Sequence, residues 1–327
     1  MRSCSGISET AVAMLAFGLL VSSAGCAKVG ELKSMKAFKS ANQAYQQQDY
    51  KKAAQLYEDA IQAAPDTRPA QQSYFFLGNS YDNLYKPSRK GEADNDALLN
   101  KAVDNYQKAA EKLSASDKPE DKKLGKLALE YLVAAYGPDK LNDPAKAEPV
   151  VQKMIQMEPG EPTNYFQLAK IYEDAGAYDE AEKVFQQAKE ARPSDPAVYM
   201  QLAGYYNRQG QFDKTIDALE ERASKEPTNP EAFYTISTYY WDKAYRDFKL
   251  KENEKREFVQ KGVEAVDHAL QIKPDYMEAL VYKNLLLRLE ANLEKDPSKQ
   301  QALIKQADQL RDKAQELRKQ KAAGVSD

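Results

Sequence analysis

The sequence predicts an all-α fold built from stacked helical hairpins. Three observations carry that prediction. The first is a step of 34 residues that phases several positions at once: Pro159, Pro193 and Pro227; Tyr165, Tyr199 and Phe233; Leu168, Leu202 and Ile236; Ala169, Ala203 and Ser237; Tyr172, Tyr206 and Tyr240. A fixed period of this length is the mark of a repeated supersecondary unit. The second is the spacing inside a unit, where Tyr165, Leu168, Ala169 and Tyr172 stand at i, i+3, i+4 and i+7, one face of an α-helix. The third is composition. Only 14 glycines and 15 prolines occur in 327 residues, which disfavours a loop-rich all-β chain, and 42% hydrophobic with 30% charged residues argues against disorder.

Each unit divides at a glycine. Gly176 ends the first helix, and Tyr178, Ala181, Phe185 and Ala188 mark a second amphipathic helix that Pro193 stops. Small Ala169 and Ala181 fall where the two helices must approach. The series Tyr165, Leu168, Ala169, Tyr172, Ala181, Phe185, Pro193 resembles the tetratricopeptide repeat (TPR) family pattern of W-x₂-L-G-x₂-Y, A-x₃-F and a closing Pro. The resemblance implies a TPR-type α-solenoid, a right-handed superhelix of about seven helical hairpins that works by binding other proteins.

The register extends in both directions. The units are expected at 35–67, 71–116, 126–161, 162–195, 196–229, 230–276 and 277–318, the third and last only TPR-like, with a frayed tail at 319–327. Three units are overlong. Residues 86–98 (KPSRKGEADNDAL) carry Pro87 and Gly91 and read as an exposed loop. Residues 243–258 keep helix formers with apolar Tyr245, Phe248 and Leu250, so they are expected to lengthen both helices of the sixth hairpin, the alternative here and in the seventh being a mobile loop. Leu289, Leu293, Leu303 and Ile304 say the same of the seventh.

The N-terminus has a different character. Ala11 to Val21 is an uncharged apolar run too short to span a bilayer, which takes ~20 helical residues, but of the length of a secretory h-region. Ser22-Ser23-Ala24-Gly25-Cys26 follows and resembles the lipobox of bacterial lipoproteins, although Ser23 stands where that family carries Leu or another aliphatic residue. The resemblance implies a signal peptide at 1–25, acylation of Cys26 and a linker at 26–34. With Ala27 rather than Asp after the cysteine, it implies the outer membrane, facing the periplasm. Cleavage after Ala24 gives the alternative, a secreted soluble protein. Cys4 would leave with the leader, so the only other cysteine would be the blocked one.

Composition also narrows the chemistry. Lys plus Arg is 47 and Asp plus Glu is 50, a formal net charge of −3, which gives no basic face for nucleic acid. One histidine, His268, and two cysteines are too few for a His-Cys metal site or a histidine-based triad. No phosphate-binding glycine loop, nucleophile elbow or zinc motif occurs. Hence no catalytic residue, cofactor or metal ligand is assigned, and no small-molecule substrate is expected. His268 reads as a surface residue, and Trp241 as packing between tall hairpins.

What remains is a surface. In the TPR family the first helices of successive units line a groove, and the groove stripe starts one residue after the packing stripe. Here that stripe contains Phe38, Asn42, Phe75, Asn79, Phe166, Lys170, Met200, Asn207, Tyr234 and Thr238. The alternative is that these residues finish packing against the second helix of their own unit. Asn42 and Asn79 match the asparagines of the TPR subclass that clamps a peptide carboxylate, but Phe38 and Glu130 replace its lysines. The leading reading is a non-enzymatic, lipid-anchored scaffold for a protein or peptide partner in the cell envelope. The others are a soluble adaptor, a structural spacer, or an accessory subunit of an envelope assembly or enzyme complex.

Overall fold

The computed structural model describes residues 9–324, with side chains from Ala27 onward. Of the leader expected at 1–25, residues 1–8 and the side chains of residues 9–25 lie outside that described set, as does the Cys26 side chain. Among the described residues there are fourteen α-helices, a 3₁₀ turn at Pro87–Arg89, and no strand. They are α1 Glu9–Gln46, α2 Tyr50–Ala63, α3 Arg68–Leu84, α4 Ala93–Ser114, α5 Pro119–Tyr136, α6 Pro144–Met157, α7 Pro162–Asp174, α8 Tyr178–Ala191, α9 Pro196–Arg208, α10 Phe212–Lys225, α11 Pro230–Arg246, α12 Glu252–Ile272, α13 Met277–Leu293 and α14 Pro297–Ala322. No described helix is long and apolar enough to cross a membrane.

The local chemistry of the helix starts repeats with the units. Asp143, Glu161, Asp195, Asn229 and Asp296 stand at N-caps, and each side chain accepts a backbone N–H from the first turn. Each is followed by proline at the first helical position, whose missing N–H costs nothing there. The ends of the first helices use left-handed residues. Gly176 and Gly210 have φ of +75° and +69°, letting Ala177 and Gln211 donate back to the Tyr172 and Tyr206 carbonyls at 2.8 and 2.9 Å. Gln48 fills the same role after α1 with φ of +61°, without glycine's freedom.

The chain forms two compact units, one ending at Ala177 and one starting at Tyr178. In the first, each of α1 to α6 packs on the next, and α3 also touches α1 and α5. In the second, α8 to α14 follow the same succession, and α11 also touches α13. Alternate helices thus share one side of each unit. The core of the first unit is built of alanines between large rings, with Tyr57, Tyr106, Leu99 and Leu113 sealed among Ala53, Ala102 and Ala109. A hairpin of this kind has no core of its own, so burial comes from the neighbour.

Two hydroxyl patterns reinforce the succession. Tyr165 and Tyr199 donate to the carbonyls of Pro159 and Pro193, six residues earlier, at 2.9 and 2.7 Å. Tyr172 and Tyr206 each donate to a glutamate 24 residues earlier, Glu148 at 2.7 Å and Glu182 at 2.8 Å. Tyr240 keeps the step but meets no such glutamate and packs instead on Phe212 and Phe258.

Several expectations need correction. The loop expected over 86–98 is shorter, because α4 begins at Ala93. Buried Asn95 closes the turn by accepting the Lys86 N–H at 2.9 Å and donating to the Lys86 and Arg89 carbonyls at 3.1 Å. The linker expected at 26–34 is helical through its described part, and Ser34 is fully buried. The tail expected to fray from 319 continues α14 to Ala322, through helix-forming Lys, Gln and Ala. In the sixth unit α11 and α12 are 17 and 21 residues long, against 13 and 14 for α9 and α10. Their tip stays uncovered, with Phe248 92% exposed.

Candidate partner-binding surface

In the first unit α1, α3 and α5 enclose an open cleft of about 610 Å³. Helix α1 contributes Phe38, Asn42, Tyr45 and Gln46; α3 contributes Gln72 and Phe76; α5 contributes Glu120, Lys123, Leu124 and Leu127. The aromatic wall is braced from behind. Phe76 stacks on buried Tyr57 at 5.7 Å, meets Tyr45 edge-on at 5.7 Å, and lies 6.2 Å from Phe38. Asn42 accepts the Tyr57 hydroxyl at 2.7 Å. Burial, then the neighbouring phenols Tyr50 and Tyr131, push the Tyr45 pKa up, so its hydroxyl stays protonated and a donor.

Two polar assemblies fix the helices around this cleft. In one, donors point successively toward Asp82. Tyr45 donates to Asn79, Asn79 to the Tyr106 hydroxyl at 3.4 Å, and Tyr106 to Asp82 at 3.2 Å, while Lys140 reaches Asp82 at 2.8 Å. In the other, buried Asp121 receives both oxygens' worth of Arg68 Nε at 3.0 Å, Gln72 at 2.7 Å and Ser116 at 3.0 Å. Burial acts to raise the Asp121 pKa, but hydrogen bonds from Gln72, Arg68 and Ser116 outweigh it and hold the carboxyl below its ordinary value. Gln72 is thereby oriented at the cleft wall.

The second unit has a smaller cleft of about 230 Å³ on the α9–α11–α13 side, lined by Asn207, Thr238, Tyr239, Trp241, Asp242, Arg246 and Tyr282. Trp241 stacks on Tyr245 at 5.0 Å and meets Tyr282 edge-on at 5.6 Å. Arg246 pairs with Asp242 at 2.7 Å. A third opening, of about 600 Å³, lies between α10, α11 and α12, where exposed His268 sits 3.9 Å from Phe233.

The expected groove stripe is divided by this geometry. Phe38 and Asn42 line the first cleft, and Asn207 and Thr238 line the second. Phe75 and Asn79 are corrections, being only 4% and 5% exposed. Helix α5 covers Phe75 with Tyr131, edge-on at 5.6 Å, and Asn79 is spent on the tyrosine relay. Met200 is half-buried, with its sulfur accepting Arg222 of α10 at 2.9 Å, so it packs toward its own hairpin. Tyr234 is boxed by Tyr276 and Tyr282, both at 5.3 Å, and burial, then those phenols, push its pKa up to about 12. Phe166 is half-buried, and exposed Lys170 pairs with Asp174 at 2.5 Å; neither lines the first cleft. The stripe missed Phe76, Tyr45 and Trp241. Phe76 is adjacent to Phe75, and only the packing of α5 says which of the two stays open.

The arrangement suits recognition more than reaction. Half-buried rings and leucines accept apolar side chains, while Asn and Gln amides both donate and accept, as a peptide backbone requires. Among the described residues no group of three or more His, Cys, Asp or Glu side chains is placed to hold a metal ion.

Comparison with known proteins bears on the fold. Residues 140–204 match the tetratricopeptide repeat family model. The chain is similar to the C-terminal part of a TPR repeat-containing protein from Cytophaga hutchinsonii, at 16% identity and a TM-score of 0.50, over 84% of this chain and 95% of that one. It also matches a tetratricopeptide repeat protein from Parabacteroides merdae (14% identity, TM-score 0.43, 84% and 99% of the two chains). A third match is MamA from Desulfovibrio magneticus (16%, 0.38, 59% and 95%). No curated protein matches the chain in sequence. The fold is a tetratricopeptide-type α-solenoid.

Proposed function

We propose that this chain is a lipid-anchored interaction scaffold of the bacterial cell envelope, exported by its leader and held in the outer membrane by acylated Cys26. Its first-unit cleft binds a segment of a partner protein. The observation that supports binding there is the open cleft of about 610 Å³, walled by Phe38, Phe76, Leu124 and Leu127 with amides between them. Interface energy concentrates in a few such anchors. Support for the address comes from the apolar run Ala11–Val21 followed by small residues and Cys26.

The cleft is tested with Phe38→Ala and Phe76→Ala, each measured by thermal melt and by capture of partners from membrane extracts. Capture is expected to fall more than tenfold while the fold persists; unchanged capture with both replaced would remove the cleft from the reading. Membrane fractionation of Cys26→Ala tests the anchor. Release, or accumulation of precursor, is expected, and a variant fractionating like wild type overturns it.

A further inference from the structure

We propose that the outward face of α1 between Lys28 and Lys39 is a membrane-contact strip that lies on an anionic phospholipid surface. At 100° per residue, Val29, Leu32 and Met35 fall on one side of the helix, and they are 51%, 65% and 51% exposed. Lys28, Lys33, Lys36 and Lys39 are interleaved with them on the same side. All four are exposed, and none has an ion-pair partner among the described residues. Residues 27–39 carry four lysines and one glutamate, net +3, in a chain that carries −3 overall.

The opposite side is fastened to the first unit. A Cβ on Gly30 would stand 2.8 Å from the Ala63 carbonyl oxygen, so only glycine lets α1 come this close to the end of α2. Ser34 is fully buried with its hydroxyl 3.2 Å from that of Thr67, and Ala41 is fully buried about two turns on. The strip is therefore a fixed feature of the unit's surface.

Mixed lysine and aliphatic chemistry selects the occupant. Lysine is depleted from protein interfaces, where its ammonium must be desolvated. At a bilayer the aliphatic side chains sink, and the lysine stems follow while their ammonium groups stay with the phosphates. Position points the same way. At 1.5 Å per residue, Val29 to Met35 lie roughly 5–14 Å along the helix from Cys26. The inference rests on the anchoring reading for which bilayer is near, since acylated Cys26 would hold the strip at headgroup depth; the contact itself needs no acyl chain. Phe38 lies roughly 180° round the helix from Val29, 120° from Leu32 and 60° from Met35, so the strip runs along the edge of the cleft without covering Phe38.

The test uses the chain from Ala27 onward, which keeps every side chain described and, without Cys4 and Cys26, contains no cysteine. It is sedimented with vesicles of phosphatidylglycerol and phosphatidylethanolamine, and with phosphatidylcholine vesicles. Binding is expected to the first only and to weaken in salt. Replacing the four lysines by glutamine should weaken it about five-fold per lysine removed, and Val29→Ser, Leu32→Ser, Met35→Ser together should abolish it, with melting temperatures unchanged. An environment-sensitive dye on Leu32→Cys should shift to the blue on vesicles, and one on Lys305→Cys should not. Equal behaviour on both vesicle types, indifference to either set of replacements, or an unshifted dye at 32 would overturn the proposal. So would chemical cross-linking of wild type to another protein through this face, lost in these variants, with no binding to vesicles. If wild type proves unacylated while the Ala27 chain binds the anionic vesicles, the anchor fails and the strip stands; an acylated wild type with a non-binding Ala27 chain removes the strip alone.

Discussion

The α1–α3–α5 region and the α9–α11–α13 region are built from the same kind of helix, yet they hold their aromatic residues differently. In the first, Tyr45 and Tyr106 are linked with Asn79 through hydroxyls and amides to one half-buried ion pair, Asp82 with Lys140. In the second, Tyr234, Tyr276, Tyr282, Trp241 and Tyr245 are joined ring to ring. A relay of buried donors is sensitive to single atoms, because each lost partner leaves a desolvated group. A cluster of rings depends on area and tolerates loss of a hydroxyl. The difference also shapes the surfaces. The relay draws Asn79 and Tyr106 inward and leaves an apolar cleft in front of them. The ring cluster fills its own cleft and leaves a smaller, more polar one.

The comparison breaks most sharply at a fully buried ring of the relay. Tyr106→Ala should cost ~3–5 kcal/mol, because Tyr106 is fully buried and its loss empties a cavity behind the cleft. Tyr234→Ala, at a half-buried ring, should cost clearly less. Urea denaturation of both variants would show it, and equal costs would mean that the ring cluster is as tightly packed as the relay.

Asp121→Asn comes next, at about 1–3 kcal/mol near neutral pH, since Arg68, Gln72 and Ser116 all donate to a carboxylate. The sign with pH follows from the lowered pKa. An aspartate held below its unfolded value of about 3.9 contributes fully above that value and loses its contribution as pH falls through the folded pKa. Wild type and variant should therefore converge on acidification, as melts at pH 7 and near pH 3 would reveal. Among the described residues the carboxylates beside the ring cluster of the second region, Asp242 and Glu278, are exposed, so Tyr282→Phe should show no such convergence.

Removing single hydroxyls sharpens the contrast at lower cost. Tyr106→Phe leaves Asn79 without an acceptor and should cost ~1–2 kcal/mol, whereas Tyr245→Phe, an exposed ring, should stay within about 0.5 kcal/mol. The smallest effect expected is a gain. Gln48→Gly relieves a left-handed residue after α1 and should stabilise by about 0.5–1 kcal/mol, while the second region already has Gly210 at that place.

The sequence by itself determined the all-α class, the 34-residue unit and most of the buried stripe. Tyr165, Leu168 and Ala169, with Tyr199, Leu202 and Ala203, are buried at equivalent steps, because helical periodicity is a local property that any similar neighbour will satisfy. It also marked the turns, where proline and glycine act through their own backbone. Only the tertiary structure decided which aromatic faces a partner. Phe75 and Phe76 are indistinguishable by composition. They point 100° apart, and the packing of Tyr131 from α5, far along the chain, buries one and leaves the other at the cleft. The same holds for residues 27–34, whose sequence reads as a tether. Gly30 against Ala63 and Ser34 against Thr67 convert them into a packed helix with one outward face, since a close approach between two elements belongs to both and is written in neither alone.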